Sequence, residues 1–158
     1  RSTVCTRRAS GRNTRSAKNR EKSKEKREKD TSESMEAFEQ LDVWKRSCRL
    51  CVAVYRAFGS CRDYGFKDQV CHAALSIASN IAEGYERNSS KEFARFLKIA
   101  KGSCGELRTQ IYISAEVGLL ERSQVAEFVK ETGEISRMLQ GLIRKISDRI
   151  ARDKTETC

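Results

Sequence analysis

Proline is absent from all 158 residues of this chain. Because proline interrupts both helices and sheet ladders, its absence leaves nothing to break long helices. The chain also lacks a marked alternation of apolar and polar residues, which is the pattern of half-buried strands. Both absences predict an all-α protein, and a chain of this length is expected to form one folded domain.

Long apolar runs are missing as well. No stretch approaches the roughly 20 apolar residues that a helix needs to cross a bilayer. The basic N-terminal region has no apolar core of the kind that a secretory signal carries. We therefore expect a cytoplasmic protein without a membrane partner.

The chain has a single histidine, His72. A di-iron helical bundle needs Glu-x-x-His motifs on paired helices, and the residue three positions before His72 is Gln69. The sequence contains no nucleophile elbow, phosphate-binding loop or paired metal motif. The pair Glu83 and Arg87 is spaced for surface electrostatics on a helix rather than for acid–base catalysis. We expect a protein that is not an enzyme and takes no cofactor or small-molecule substrate.

Seven cysteines are present, and their spacing has to be weighed against a metal site. Cys48 and Cys51 have the separation of zinc ligands, but both lie on the apolar stripe of a predicted helix. Cys71 and His72 are adjacent, so on a helix they point about 100° apart. We expect small buried thiols and no metal site. The odd number of cysteines in a cytosolic chain argues against a disulfide framework.

The net charge of +10 is unevenly distributed. Residues 1–34 contain 12 Lys and Arg against 5 Asp and Glu, a net charge of +7, whereas residues 35–158 carry only +3. The first segment has almost no large apolar side chains, so we expect a disordered basic tail, or an extension upstream of Met35, that attracts nucleic acid. The folded bundle is expected at residues 35–150, followed by a flexible C-terminus at 151–158.

Apolar residues recur at helical spacing in four segments. They predict helices over about residues 36–58, 68–86, 91–117 and 123–150, the last of them capped by Ser123. Short turns join the helices, which favours an up-down-up-down antiparallel four-helix bundle. The inward face of the first helix is predicted to carry Phe38, Leu41, Trp44, Cys48, Cys51, Tyr55 and Phe58.

The second and third helices are predicted to form a tight hairpin around the turn at residues 87–90. Ser89 is a good N-cap for the third helix, and Glu92 is placed to complete a capping box. Gly118 is expected to end the same helix. The apolar faces that meet across the hairpin carry Val70, Ala74, Ile77, Ala78, Ile81 and Tyr85 on one helix, and Phe93, Phe96, Leu97, Ala100, Cys104, Leu107 and Ile111 on the other.

The outer sides of this hairpin contain three candidate functional sets. A polar stripe is predicted to be a structural network that ties the second helix to a neighbour: Ser76, Asn80, Glu83 and Arg87. Basic residues are candidate phosphate contacts, with a merely solvated face as the alternative: Arg87, Lys91, Arg95, Lys98, Lys101 and Arg108. A strip of small residues is a candidate oligomer interface, with simple tolerance of glycine in a helix as the alternative: Ala94, Gly102, Gly105, Thr109 and Tyr112.

The central motif carries a family resemblance. It consists of Ser76-Ile77, Ser79-Asn80-Ile81-Ala82-Glu83-Gly84, Lys91-Glu92-Phe93, Phe96-Leu97, Ile99-Ala100 and Gly102-Ser103, with Phe38 to Lys45 upstream. Over about residues 35–146 the chain resembles the four-helix-bundle proteins encoded in 23S ribosomal RNA intervening sequences. Accessory variability proteins of diversity-generating retroelements are similar to these. Ala78 stands where that family usually has proline, which removes a helix kink and touches no polar group.

The resemblance implies two features of function. Proteins of this kind are expected to form homopentamers, so the first partner is another copy of the chain. Their retroelement relatives are expected to partner RNA and a reverse transcriptase, so ribosomal RNA or a nucleic-acid enzyme is the second. The sequence therefore predicts a non-enzymatic, RNA-associated, homo-oligomeric bundle, and the alternative is a structural or protein-interaction scaffold with no nucleic-acid role.

Overall fold

A computed structural model describes residues 38–155 of the chain, with side chains to residue 153. The described part forms four helices: α1 Asp42–Ala57, α2 Tyr64–Glu86, α3 Ser90–Glu116 and α4 Arg122–Thr155. It contains no strand, so the all-α prediction is confirmed. None of these helices is long and apolar enough to cross a membrane. The predicted tail at residues 1–34 lies outside the described residues, as do residues 156–158.

The helices form an antiparallel bundle in which sequence neighbours are also neighbours in space. α2 packs most extensively against α3, and α3 packs against α4 almost as extensively. α1 has a smaller contact with α2 and the smallest one with α4, which closes the bundle. Among the described helices, α1 does not contact α3, and α2 does not contact α4. The two pairs are therefore diagonal, as the predicted up-down-up-down topology requires.

The core lies between the inward faces of all four helices. Its largest fully buried side chains include Phe58, Ile77, Ile81, Leu97, Leu107, Ile111, Ile135 and Leu139. Each buried side chain of this size contributes roughly 1.5–3 kcal/mol to the free energy of unfolding. On α4 the buried residues include the polar Thr132 as well as Ile143.

The first helix differs most from its prediction. Residues 38–40 form a turn and α1 begins only at Asp42, because Phe38 folds back to place its ring edge-on to Trp44 at 5.2 Å. The buried face is also rotated by about one residue: Val54 is fully buried, whereas the predicted Tyr55 is 47% exposed. The stripe that the sequence analysis placed in the core is thus partly at the surface.

Local capping explains most of the helix ends. α2 begins four residues earlier than predicted, because the Asp63 carboxylate accepts a hydrogen bond from the Phe66 amide at 3.0 Å. Ser89 caps α3 as predicted. Gly118, with a φ of 73°, ends α3 as predicted, and the Leu119 amide donates to the Ser114 carbonyl at 2.8 Å.

The fourth helix differs from its prediction at both ends. Ser123 was predicted to cap α4, but the helix begins at Arg122, before that residue. The side chain of Gln124 instead accepts a hydrogen bond from the Glu121 amide, at 3.3 Å. The helix then continues through Thr155, five residues beyond the predicted end of the bundle at residue 150.

α2 and α3 approach each other closely at Gly84. A Cβ atom at this position would stand 2.5 Å from the Cβ of Phe96, which is shorter than any relaxed carbon–carbon contact. Both residues are buried. The absence of a side chain at Gly84 is therefore a condition for the distance between these two helices.

The smallest helix contact, between α1 and α4, contains a two-point ion pair. Arg46 donates from Nε to Glu131 Oε1 at 2.7 Å and from Nη2 to Oε2 at 2.6 Å. Both side chains are about one-third exposed. The hydrogen bonds from Arg46 lower the pKa of the Glu131 carboxyl, although partial burial acts in the opposite direction. This pair ties the first helix to the last across 85 positions of sequence.

We predict that Gly84→Ala destabilises the protein. Overpacking against Phe96 should cost roughly 1–3 kcal/mol, and better helix propensity should return at most about 1 kcal/mol of that. The matched control is Gly141→Ala on α4, where a Cβ meets no atom within 4 Å, so this variant should gain up to about 1 kcal/mol. Urea unfolding of both variants measures the change in the free energy of unfolding, which should be a loss for Gly84→Ala and a gain for Gly141→Ala. Equal changes would contradict the close approach.

A second prediction concerns acid stability. Because folding lowers the pKa of Glu131, its ion pair stabilises the protein above the pKa of an unfolded Glu, about 4.3, and the contribution is lost as the pH falls through the lower folded pKa. Glu131→Gln should reduce the free energy of unfolding at pH 7 by about 1 kcal/mol and flatten its decline in acid. Denaturant midpoints from pH 7 to pH 3 measure this. Glu127→Gln, an exposed carboxylate on the same helix, should leave the acid limb unchanged.

Candidate functional site

The first two residues of the polar stripe, Ser76 and Asn80, belong to a row of hydrogen bonds that runs from α2 to α3. Asn80 Nδ2 donates to Ser76 Oγ at 2.9 Å and to the Ser76 carbonyl at 2.7 Å. Ser76 Oγ lies 2.9 Å from Ser103 Oγ, and Ser103 Oγ donates to the Ile99 carbonyl at 3.3 Å. Either hydroxyl can be the donor between Ser76 and Ser103. This row of hydrogen bonds joins α2 to α3 through partly buried polar groups. A structural network that ties the second helix to a neighbour was predicted for Ser76 and Asn80.

The last two residues of the stripe, Glu83 and Arg87, form a separate contact at the surface. The Arg87 guanidinium pairs with the Glu83 carboxylate at 2.5 Å, and each side chain is about half exposed. The Arg87 guanidinium also lies over the ring of Phe96, 5.1 Å from its centroid. The four predicted stripe residues are thus divided between an interhelical network and an ion pair on the hairpin turn.

Four of the six predicted basic residues gather around that turn, and we call Arg87, Lys91, Arg95 and Lys98 the basic cluster. Arg95 lies over the Phe96 ring at 5.8 Å and pairs with Glu92 at 3.2 Å. Lys91 and Lys98 are exposed, and among the described residues neither has an acidic partner within 4 Å. Arg87 and Lys91 flank the first turn of α3, where unpaired amides carry partial positive charge, and Arg95 and Lys98 follow along the next two turns.

The other two basic residues lie on the side of α3 that faces α4. Lys101 Nζ donates a hydrogen bond to Gln140 Oε1 on α4. Arg108 is half-buried and close enough to Cys104 to lower the pKa of that thiol slightly, against the larger effect of burial. The structure therefore does not bring Lys101 and Arg108 together with the basic cluster.

The predicted strip of small residues is open along most of its length. A Cβ at Gly102 or Gly105 would meet no atom within 4 Å, and Tyr112 is half exposed. The Thr109 hydroxyl donates to the Gly105 carbonyl at 3.0 Å. Ala94 is different: it is only 6% exposed and is covered by its own chain. The outer strip is therefore defined below as Gly102, Gly105, Thr109 and Tyr112.

Of the five cysteines in the described residues, three are buried as predicted and two are only partly buried. Cys51, Cys71 and Cys104 are buried, whereas Cys48 and Cys61 are partly buried. Burial raises the pKa of Cys104 to about 12, so its thiol stays protonated at neutral pH. In the part of the chain that the structure describes, no three His, Cys, Asp or Glu side chains are grouped so as to hold a metal ion.

The sequence analysis missed the surface between α1 and α4. A groove of about 670 Å³ lies there, with Leu50, Ala53 and Phe128 as its apolar floor and Arg49 and Lys130 on its walls. Its two walls come from helices about 80 positions apart, so no local pattern marks it. The charge of Arg49 and its neighbours on α1 is the only signal that the sequence offered.

Comparison with known proteins identifies the type of bundle. The sequence model of the family described as 23S rRNA-intervening sequence protein matches residues 39–141. No curated protein matches the chain. A crystal structure of a protein of unknown function from the S23 ribosomal protein family of Bacteroides thetaiotaomicron is similar, with a TM-score of 0.60 and 21% identity, over 64% of this chain and 97% of that one. At this identity the similarity establishes the fold.

We predict that Ser76→Ala destabilises the bundle by roughly 1–3 kcal/mol. The substitution removes the middle of the row of hydrogen bonds, so that the Asn80 amide and the Ser103 hydroxyl each lose one of two hydrogen bonds in a partly buried place. The control is Ser79→Ala, the same chemical change at an exposed position of α2, which should stay within about 0.5 kcal/mol of wild type. Thermal unfolding compares the two, and indistinguishable melting temperatures would show that the network adds no stability.

Proposed function

The chain belongs to the 23S rRNA-intervening sequence protein family, and from this membership we propose a non-enzymatic, self-assembling helical bundle of the cytoplasm that contacts RNA through its basic cluster. One observation carries the RNA contact: Lys91 and Lys98 are exposed without acidic partners beside two arginines. Unpaired exposed cations release counterions from a phosphate backbone, which is the main source of affinity for nucleic acid.

The geometry of the cluster supports contact with phosphates rather than with bases. The guanidinium groups of Arg87 and Arg95 are both held over the Phe96 ring, which fixes their position on the surface. Each pairs with a glutamate through one nitrogen, so its other N–H groups stay available to a phosphate oxygen. The backbone amides at the start of α3 add to the positive potential between Arg87 and Arg95. Such a surface binds RNA by charge and shape.

The non-enzymatic part of the proposal rests on the state of the nucleophiles. Burial raises the pKa of Cys48, Cys51 and Cys71, as it does for Cys104. Thiols of this kind are protonated at neutral pH and act as packing groups, because the thiolate is the reactive form. We assign Cys51, Cys71 and Cys104 to the core of the bundle, whereas Cys48 lies at its border.

A second candidate function is a protein scaffold without a nucleic-acid role. It is favoured by the glutamates of the hairpin turn, since Glu83 and Glu92 offset part of the charge of Arg87 and Arg95. On that interpretation the basic cluster only keeps the turn solvated. The two functions differ in how binding to RNA responds to salt.

We predict that the full chain binds a labelled 23S ribosomal RNA fragment with an affinity that falls steeply as salt rises. Replacing both Lys91 and Lys98 by alanine should lower the slope of log K against log salt by about 0.7–0.9 for each lysine. Fluorescence anisotropy from 50 to 300 mM salt gives the slope. The basic residues 1–34 are common to all variants, so they cancel from the comparison.

The matched control is Lys101→Ala, the same change on the same helix, at a side chain already bonded to Gln140. Its slope should equal that of the wild type. If Lys91→Ala, Lys98→Ala and Lys101→Ala all leave the slope unchanged, the basic cluster does not contact RNA and the scaffold function is preferred.

A further inference from the structure

We propose that the second half of α3 in one copy packs against the outer face of α1 in the next copy, so that copies assemble head to tail. This inference rests on the self-assembly proposed above and names the two surfaces that meet. Both surfaces belong to the described residues of the bundle, and they are unlike each other in charge.

The surface of α3 is apolar and acidic, and at its two glycines no side chain projects from the helix. It continues the outer strip toward the end of the helix, where Ile113 is 46% exposed and Val117 61% exposed. At Gly102 and Gly105 no side chain stands above the backbone, so another helix can approach closely. Exposed large apolar side chains that follow one helix face in this way are a mark of an interaction surface.

The α1 surface is apolar and basic. Its outermost stripe contains Val52, which is 49% exposed, flanked at helical spacing by Arg49 and Arg56. These three residues, with Cys48 and Ala53, line an apolar surface depression of about 380 Å³. Tyr55, the residue that the sequence analysis placed in the core, forms one border of the stripe and is half exposed.

The bundle keeps these two surfaces apart. α1 and α3 are diagonal and do not contact each other, so their outer faces point to opposite sides of the same chain. Two different patches on opposite sides of a subunit produce a heterologous contact, which repeats from copy to copy and closes into a ring when the rotation allows it. Within the described residues 38–153, the side chains named above remain exposed on both patches.

Charge decides which half of α3 faces the neighbour. Along the outer side of α3 the first half carries Lys91, Arg95 and Lys98, whereas the second half carries Glu106 and Glu116, with Arg108 at its border toward α4, so its net charge is −1. The arginines of α1 would be repelled by the first half and attracted by the second. The α1 of a neighbouring copy therefore fits the stretch from Gly102 to Val117 and leaves the basic cluster uncovered for RNA.

The test reverses the charges on each side of the contact in the full chain, freed of nucleic acid. We expect wild-type protein to be an oligomer by multi-angle light scattering. The variant Arg49→Glu with Arg56→Glu, and the variant Glu106→Arg with Glu116→Arg, should each fall toward the mass of one chain, 18.0 kDa. Combining all four substitutions should restore the wild-type mass, because the pairing is then reversed on both sides.

The control makes the same charge change on α4, at the exposed Arg144 and Arg149, each to Glu, and should leave the oligomer intact. Circular dichroism confirms that every variant is helical. A monomeric wild type would remove the proposed self-assembly altogether. An oligomer that persists in both reversed variants, or a fourfold variant that stays monomeric although folded, overturns only the α3-to-α1 contact.

Discussion

The bundle depends on one close approach, that of the Gly84 backbone to the side chain of Phe96. It sets the spacing of α2 and α3, and in an antiparallel pair it also sets their register. The contact between Ser76 and Ser103 lies two helical turns further along both helices and follows from that register. On its outer side, Phe96 supports the guanidinium groups of Arg87 and Arg95. The core, the polar network and the basic cluster thus share one geometric constraint.

The central hairpin was predictable because its signals are local. A serine N-cap at Ser89, a glycine at Gly118 and a clean apolar period identify the bounds of α3 and the inward faces of α2 and α3. Sequence reasoning found the bundle class for the same reason. The polar stripe was predicted as one network, but only Ser76 hydrogen-bonds to α3, with Asn80 bonded to Ser76 on α2, since the spacing of a stripe does not reveal how deep each residue lies.

The first helix was not predictable in the same way. It carries two adjacent apolar stripes, one through Val54 and one through Tyr55, and the period of the sequence is equally good for both. Packing against α2 and α4 decides between them, and that is a tertiary effect. The ion pair of Arg46 with Glu131 was not predicted from the sequence, because its partners are 85 positions apart and each is an ordinary helix-surface residue.

The uncovered stripe on α1 and the open strip on α3 are best understood together. Glycine in a helix costs about 1 kcal/mol relative to alanine, and at Gly102 and Gly105 the chain's own packing does not require it. At Gly84 the reason is internal, since Phe96 fills the space. The described residues therefore give no packing reason for the two outer glycines. An apolar, basic helix face on the opposite side of the same bundle has the complementary charge, and a second copy always brings it.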